Sequence, residues 1–268
     1  MRREKIGWLQ EKLMIEFVVI VESSTDARTA TKLADRILVQ KIDWLDAEML
    51  QHLYQWSGLE AGTENSCWKN IDDITKRLAD QFKFPTIRSN GKFKSDGQSA
   101  NKIIKLISFL QYKQKREIKA VIFIRDLDNQ PERRKHIEQV RSELINQQPK
   151  LAIIIGTADR MREAWVLNGF IPSNPEEKQI LQKITTELTF NPCDESHRLR
   201  SNSWEEPDRL RNPKVVVEKL TGGKMEREQQ CWEDTDLEIL RKKGVQTGLT
   251  AYIDEIEERL IPIIRSAE

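Results

Sequence analysis

The sequence predicts an α/β fold: strands alternating with helices to give a mostly parallel sheet flanked by helices, with a mainly helical carboxy-terminal part. Three observations predict it. Short apolar, β-branched runs occur at 14–21 (MIEFVVIV), 119–124 (KAVIFI) and 151–155 (LAIII), each bounded by polar residues, as expected of strands buried on both faces. Segments with helical spacing of apolar residues separate them, and strands alternating with helices argue for a parallel sheet covered on both sides. Beyond Phe170 the strand signal stops and helical patterns continue. A chain of 268 residues with 38% hydrophobic residues has material for a real core.

In order along the chain, residues 1–13 read as a polar leader, with Met14 as a candidate natural start. The strand at 14–21 runs into ESSTDARTATKLADRILVQ, where Ser24 or Thr25 can cap a helix carrying Ala27, Ala30, Leu33, Ala34, Ile37 and Leu38. Residues 42–56 have helical spacing, 57–71 are loop-like and 72–82 return to helix. Turn chemistry fills 85–100, and 101–115 is an amphipathic helix. The second strand, within 119–130, ends in acids; helix 131–147 follows, with Pro131 suited to its first turn. Residues 150–170 give a third strand and then a helix containing Glu163 and Trp165. The Pro/Asn/Ser-rich stretch 191–214 is strand-poor, 214–224 reads as a helix ending at a Gly pair, and 249–267 as a closing helix. The expected organisation is a leader (1–13), a catalytic core (14–170) and a helical region packed on it (171–268).

Charged residues make up 32% of the chain, yet the formal net charge is only +1. No basic excess marks a nucleic-acid binder, and none is required where carboxylates at a metal site offset surrounding basic groups. Cys67, Cys193 and Cys231 are widely spaced, with no CxxC or Cys/His pattern, which argues against zinc and for reduced thiols in the cytoplasm. The FVVIV run is far too short to span a bilayer, so no membrane partner is expected. TGGK at 221–224 lacks P-loop spacing, so any ATP hydrolysis falls to a partner.

The chemistry-bearing residues sit where strands end. Glu22 follows FVVIV, Asp126 and Asp128 follow VIFI, and Glu163 lies one helical turn past IIIGTADR. In open α/β sheets, sites form at the carboxyl ends of strands. Like charges gathered there need a cation, and oxygen ligands without histidine or thiol suit Mg²⁺ or Mn²⁺. Asp26 is a further candidate ligand. Each acid also has a plain reading: Glu22 and Asp26 as helix-start acids, the aspartate pair as a turn, Glu163 as an exposed helix residue. Among basic residues, Arg88, Lys92 and Lys94 lie in a loop where Gly91 and Gly97 permit close backbone approach to phosphate. Arg125 sits between strand and acids; Arg133, Arg134 and Lys135 read as a solvated charged face.

VIVESSTDA and VIFIRDLDNQ together resemble the TOPRIM signature, a glutamate after the first core strand and a DxD after a later one. TOPRIM domains occur in topoisomerases, primases and OLD-family nucleases. REAWVLNGF, RNPKVVVEKL and GLTAYIDEIEERLIPIIR bring the chain closest to an uncharacterised bacterial TOPRIM-like family, often encoded beside ATPases in phage-defence loci. The resemblance covers most of the chain from about Met14. It implies metal-dependent hydrolysis of nucleic acid, DNA or RNA, with an ATPase partner. Asp126 and Asp128 would hold the metal; Glu22 would shuttle a proton or act as a second ligand. Self-association is left open. Gln130 stands where many TOPRIM domains carry a third acid, which puts a second metal in doubt unless Asp26 or Glu163 supplies the carboxylate. Tyr54, Tyr112 and Tyr252 sit in helical apolar patterns, so hydrolysis by water is favoured over strand transfer. The competing expectation is a catalytically silent scaffold that binds a protein or nucleic acid.

Overall fold

The computed structural model describes residues 14–84, 87, 93–144 and 150–266. The chain divides into two compact units: Met1–Ile124, Glu132–Ile155 and Glu255–Glu268 form the first, and Arg125–Pro131 with Gly156–Asp254 form the second.

The first unit is built on a five-stranded parallel sheet. Its strands are β1 (Ile15–Val21), β2 (Tyr54–Ser57), β3 (Ser66–Cys67), β4 (Ile118–Asp126) and β5 (Ala152–Ala158), in the order β2-β1-β4-β5, with β3 paired to the far end of β1. β4 and β5 begin in this unit, and their last residues belong to the second. Residues Phe17 to Val21 are fully buried, as a central strand covered on both faces requires. β1 pairs in parallel with β4 through Phe17–Ala120 to Ile20–Phe123, and with β2 through Ile15–Tyr54 to Val18–Ser57.

The exception to the apolar rule in β1 is Glu16. Arg116 meets it with donor–acceptor distances of 2.5 to 3.2 Å and also donates to the carbonyls of Leu59 and Gly58. A buried ion pair is tolerated when its spare hydrogen-bonding capacity is used this way.

Helix α1 (Ser24–Lys41) starts one residue earlier than the sequence suggests. Ser23 is its cap: the Ser23 hydroxyl accepts from the Asp26 N–H, and Asp26 accepts in return from the Ser23 N–H at 2.8 Å. The helix expected over 42–56 is only partly present. Helix α2 (Ala47–Leu53) gives way to β2, where Tyr54 and Trp56, two apart, share one face of the strand and both donate to Asp35, at 2.6 and 2.9 Å. Tyr54 is therefore not on a helix. Within the expected loop 57–71 lie β3 and a short 3-10 turn at Trp68–Asn70.

Helices α3 (Ile71–Phe82), α4 (Ser95–Gln114) and α5 (Glu132–Leu144) complete this unit's core together with Val18, Ile20, Val121 and Phe123. α4 begins six residues before the expected start at 101. Phe93 and Ala100 are buried, and a Cβ on Gly97 would stand 2.8 Å from the His136 carbonyl, so α4 approaches α5 closely at that glycine. The expected helix over 131–147 is described to Leu144.

The second unit is helical: α6 (Glu163–Gly169), α7 (Pro175–Leu188), α8 (Pro213–Thr221), α9 (Met225–Glu233), α10 (Leu237–Lys243) and most of α11 (Leu249–Arg259). Its core gathers Val166, Leu167, Phe170, Leu188, Val216 and Trp232. α8 ends as its Gly pair predicts, with Gly222 left-handed at φ 63°. The closing helix expected over 249–267 is interrupted, and α12 (Ile261–Arg265) resumes with Pro262 in its first turn. No helix of the described residues is long and apolar enough to cross a membrane.

Candidate functional site

Asp126 is the last residue of β4, and the turn after it belongs to the second unit. Backbone bonds tie that turn to the segment following β5: Leu127 N–H donates to the Ala158 carbonyl and Asp128 N–H to the Arg160 carbonyl, both at 3.0 Å. Gln130 N–H closes the turn onto Leu127 at 2.6 Å. Asp128, Asn129 and Arg160 have left-handed backbones, with φ of 47°, 63° and 69°. Asp and Asn tolerate this region, so the cost of about 1–2 kcal/mol falls mainly on Arg160, whose turn is held by its surroundings.

The charges here alternate closely. The Asp126 carboxylate accepts from the Arg162 N–H at 3.0 Å. The buried Arg162 guanidinium pairs with Glu228 at 3.0 Å and Glu163 at 3.5 Å, and lies over the Trp232 ring. Glu163 is thus no solvated helix acid; Arg162 balances it. Arg200 grips Asp159 with two contacts, at 2.6 and 2.9 Å, and reaches Asn129 at 3.3 Å.

Arg160 is only 2% exposed. Burial pushes its guanidinium below the usual arginine range; Asp128 and Asp159 oppose that shift, and Arg200 adds to it. Arginine nevertheless remains charged in proteins.

Behind these turns the tryptophan of REAW has a structural task. Trp165 Nε1 donates to the Thr247 carbonyl at 2.8 Å and stacks on Tyr252. The Thr247 carbonyl also accepts from the Asp159 N–H at 2.8 Å, so one residue anchors both the helix and the turn.

The remaining expected residues belong to the first unit. Glu22 directly follows β1, and its carboxylate lies 3.9 Å from Arg133, which also stands 3.8 Å from Asp96. Arg133 is therefore more than part of a solvated face. Asp26 is 7% exposed and serves the capping box, the first-turn role that competed with metal binding. Lys94 is exposed and immediately precedes α4. Arg88 and Lys92 lie outside the described residues. Arg125, partly buried on β4, counts with the second unit.

Mg²⁺ is commonly held by one or two carboxylates with water and substrate phosphate completing the shell. Asp126 and Asp128, carboxylates on one fixed turn, fit that requirement in donor type. No grouping of three or more His, Cys, Asp or Glu side chains able to hold a metal ion occurs among the described residues.

Sequence reasoning passed over Asp159, Arg160, Arg162 and Arg200. The signal for the first three was DRMRE, charged residues directly after a buried strand. Arg200 carried none, since forty residues separate it from the turn it joins. No protein-family model, curated protein or solved structure matches this chain.

Proposed function

We propose that the protein is a metal-dependent phosphodiesterase acting on nucleic acid, a TOPRIM-like nuclease of bacterial anti-phage defence that works with an ATPase partner in the cytoplasm. The observation that carries the reading is the position of Asp126 and Asp128: one ends a strand of a parallel sheet, the other occupies a left-handed turn pinned by backbone bonds. Asp126 and Asp128 are the residues that would hold Mg²⁺ or Mn²⁺, and the ion, when bound, supplies polarisation of the scissile phosphate. The chain's own part is to fix the two carboxylates and to offer cationic groups to phosphate, with Arg160 and Arg200 beside the same turn. Glu22 would be the proton shuttle or a second metal ligand, the two roles that the resemblance implies. Three free cysteines suit a reducing compartment.

Cleavage of single- and double-stranded DNA and RNA, assayed with Mg²⁺, Mn²⁺ or chelator, tests this. Asp126→Ala and Asp128→Ala are expected to abolish metal-dependent cleavage, and Glu22→Gln to slow it by about 10²–10⁴-fold, the usual worth of a general acid or base. Unchanged cleavage in all three variants would end the proposal.

One observation favours the scaffold reading: Glu163 is taken up by Arg162, so no third carboxylate joins the aspartates among the described residues. A protein that binds its partner or nucleic acid undiminished after both aspartates are replaced, and cleaves nothing under any metal condition, is that scaffold.

A further inference from the structure

Arg160 buries a charge with unmet donors. Its Nη2 donates to the Asn202 side chain, while Nε and Nη1 are buried and meet no acceptor among the described residues. An unsatisfied buried donor is costly, more so on a charged group, and calls for a missing partner. The surroundings show what kind. Arg200 brings a second guanidinium to the same turn through Asp159; Asp128 outweighs its repulsion, and it is burial that disfavours the Arg160 charge. The free donors of Arg160, with a second guanidinium on the same turn, match an oxyanion that accepts several charge-assisted bonds.

We propose that Arg160 and Arg200 form a site for a phosphate oxyanion in the second unit. Entry requires little. Asn202 is itself exposed, on a segment whose regular structure is limited to a 3-10 turn at Arg209–Arg211, and its side-chain oxygen is the acceptor a phosphate oxygen replaces. The clasp beside it is the partly exposed Arg200–Asp159 pair, and ion pairs in contact with water hold weakly. The site needs no metal ion. It deepens the nuclease reading by naming where a backbone phosphate is gripped, and rests on that reading only for nucleic acid as the source of the phosphate.

The test uses the full chain with chelator present, titrated with inorganic phosphate and separately with a short 5′-phosphorylated single-stranded oligonucleotide. Saturable binding of phosphate is expected, weakened about tenfold or more in Arg160→Gln and in Arg200→Gln, each tenfold corresponding to about 1.4 kcal/mol. Because Arg160→Gln can unfold the unit, the wild-type Arg160 Nε–H resonance gives a second readout: it should shift with phosphate and stay still with chloride at equal ionic strength. Absence of saturable phosphate binding, a resonance that does not respond, or undiminished binding by a folded Arg160→Gln protein each overturns the proposal. Oligonucleotide binding lost in the same variants identifies the phosphate as a nucleic-acid one. Phosphate binding without oligonucleotide binding keeps the anion site and removes nucleic acid as its ligand. Intact phosphate binding in a protein that never cleaves counts against the nuclease reading alone.

Discussion

Glu16 and Arg116 show how a single residue pair constrains this chain. Glu16 stands in the most buried strand, and its charge is tolerable only because Arg116 answers it while spending other donors on loop carbonyls. Arg116→Met is expected to destabilise the protein by about 3–5 kcal/mol, because it strands a buried carboxylate. Replacing both residues with apolar ones of similar size should recover much of that loss in denaturant titrations. Glu177 and Arg227 carry a different signature. The Arg227 guanidinium holds the Glu177 carboxyl at about 2, below the ordinary 4.5. A folded-state pKa below the unfolded one means the stabilisation is complete above about 4.5 and fades as pH falls toward 2. The melting-temperature gap between wild type and Glu177→Gln should therefore be widest near neutrality and close on acidification. A gap independent of pH would refute the pairing's role.

At the scale of elements, α6 and the turn after β5 depend on one tight place. Gly248 has a left-handed backbone at φ 81°, and a Cβ there would stand 2.0 Å from the Thr157 carbonyl. Gly248→Ala is expected to cost on the order of 4 kcal/mol, the range reserved for backbone strain plus clash. Gly62→Ala, also left-handed but with open space around it, should cost only about 1–2 kcal/mol. Comparable unfolding midpoints for the two variants would refute this account. These contrasts explain what was legible. The buried strands and the Gly-ended helix α8 could be read because their local pattern and their tertiary role agree. Residues 54–57 could not: they join the sheet by pairing with β1, and Tyr54 and Trp56 anchor to Asp35 on α1, partners that no local period reveals. The aspartates of the turn were visible for the same local reason. Arg200, which reaches the neighbouring Asn129 and Asp159 only through the fold, was not.

The whole molecule is interleaved rather than sequential. Its first unit is completed by Glu255–Glu268, where Arg141 reaches Glu255 at 2.6 Å and Ile256, Leu260 and Ile264 are buried. A chain cut after residue 170 lacks those residues and nearly all of the second unit's helices. It is expected to show no cooperative thermal transition by circular dichroism, and a sharp transition in that fragment would contradict the division. A boundary at 170 looked natural because the strand signal ends there. The sequence cannot show that a distant helix returns to finish an earlier core, since the return is encoded in packing rather than in composition.

That return also sets a timetable. The second unit's main segment, Gly156–Asp254, runs from the end of the last strand of the sheet to the residues that close the first unit. A ribosome adding roughly 5–20 residues per second takes about 5–20 s to cross such a span. For that time the first unit's apolar faces wait without their final cover. The nascent chain is then most open to chaperone capture, and slowing elongation within this span should lower the yield of native protein more than the same delay placed before β1.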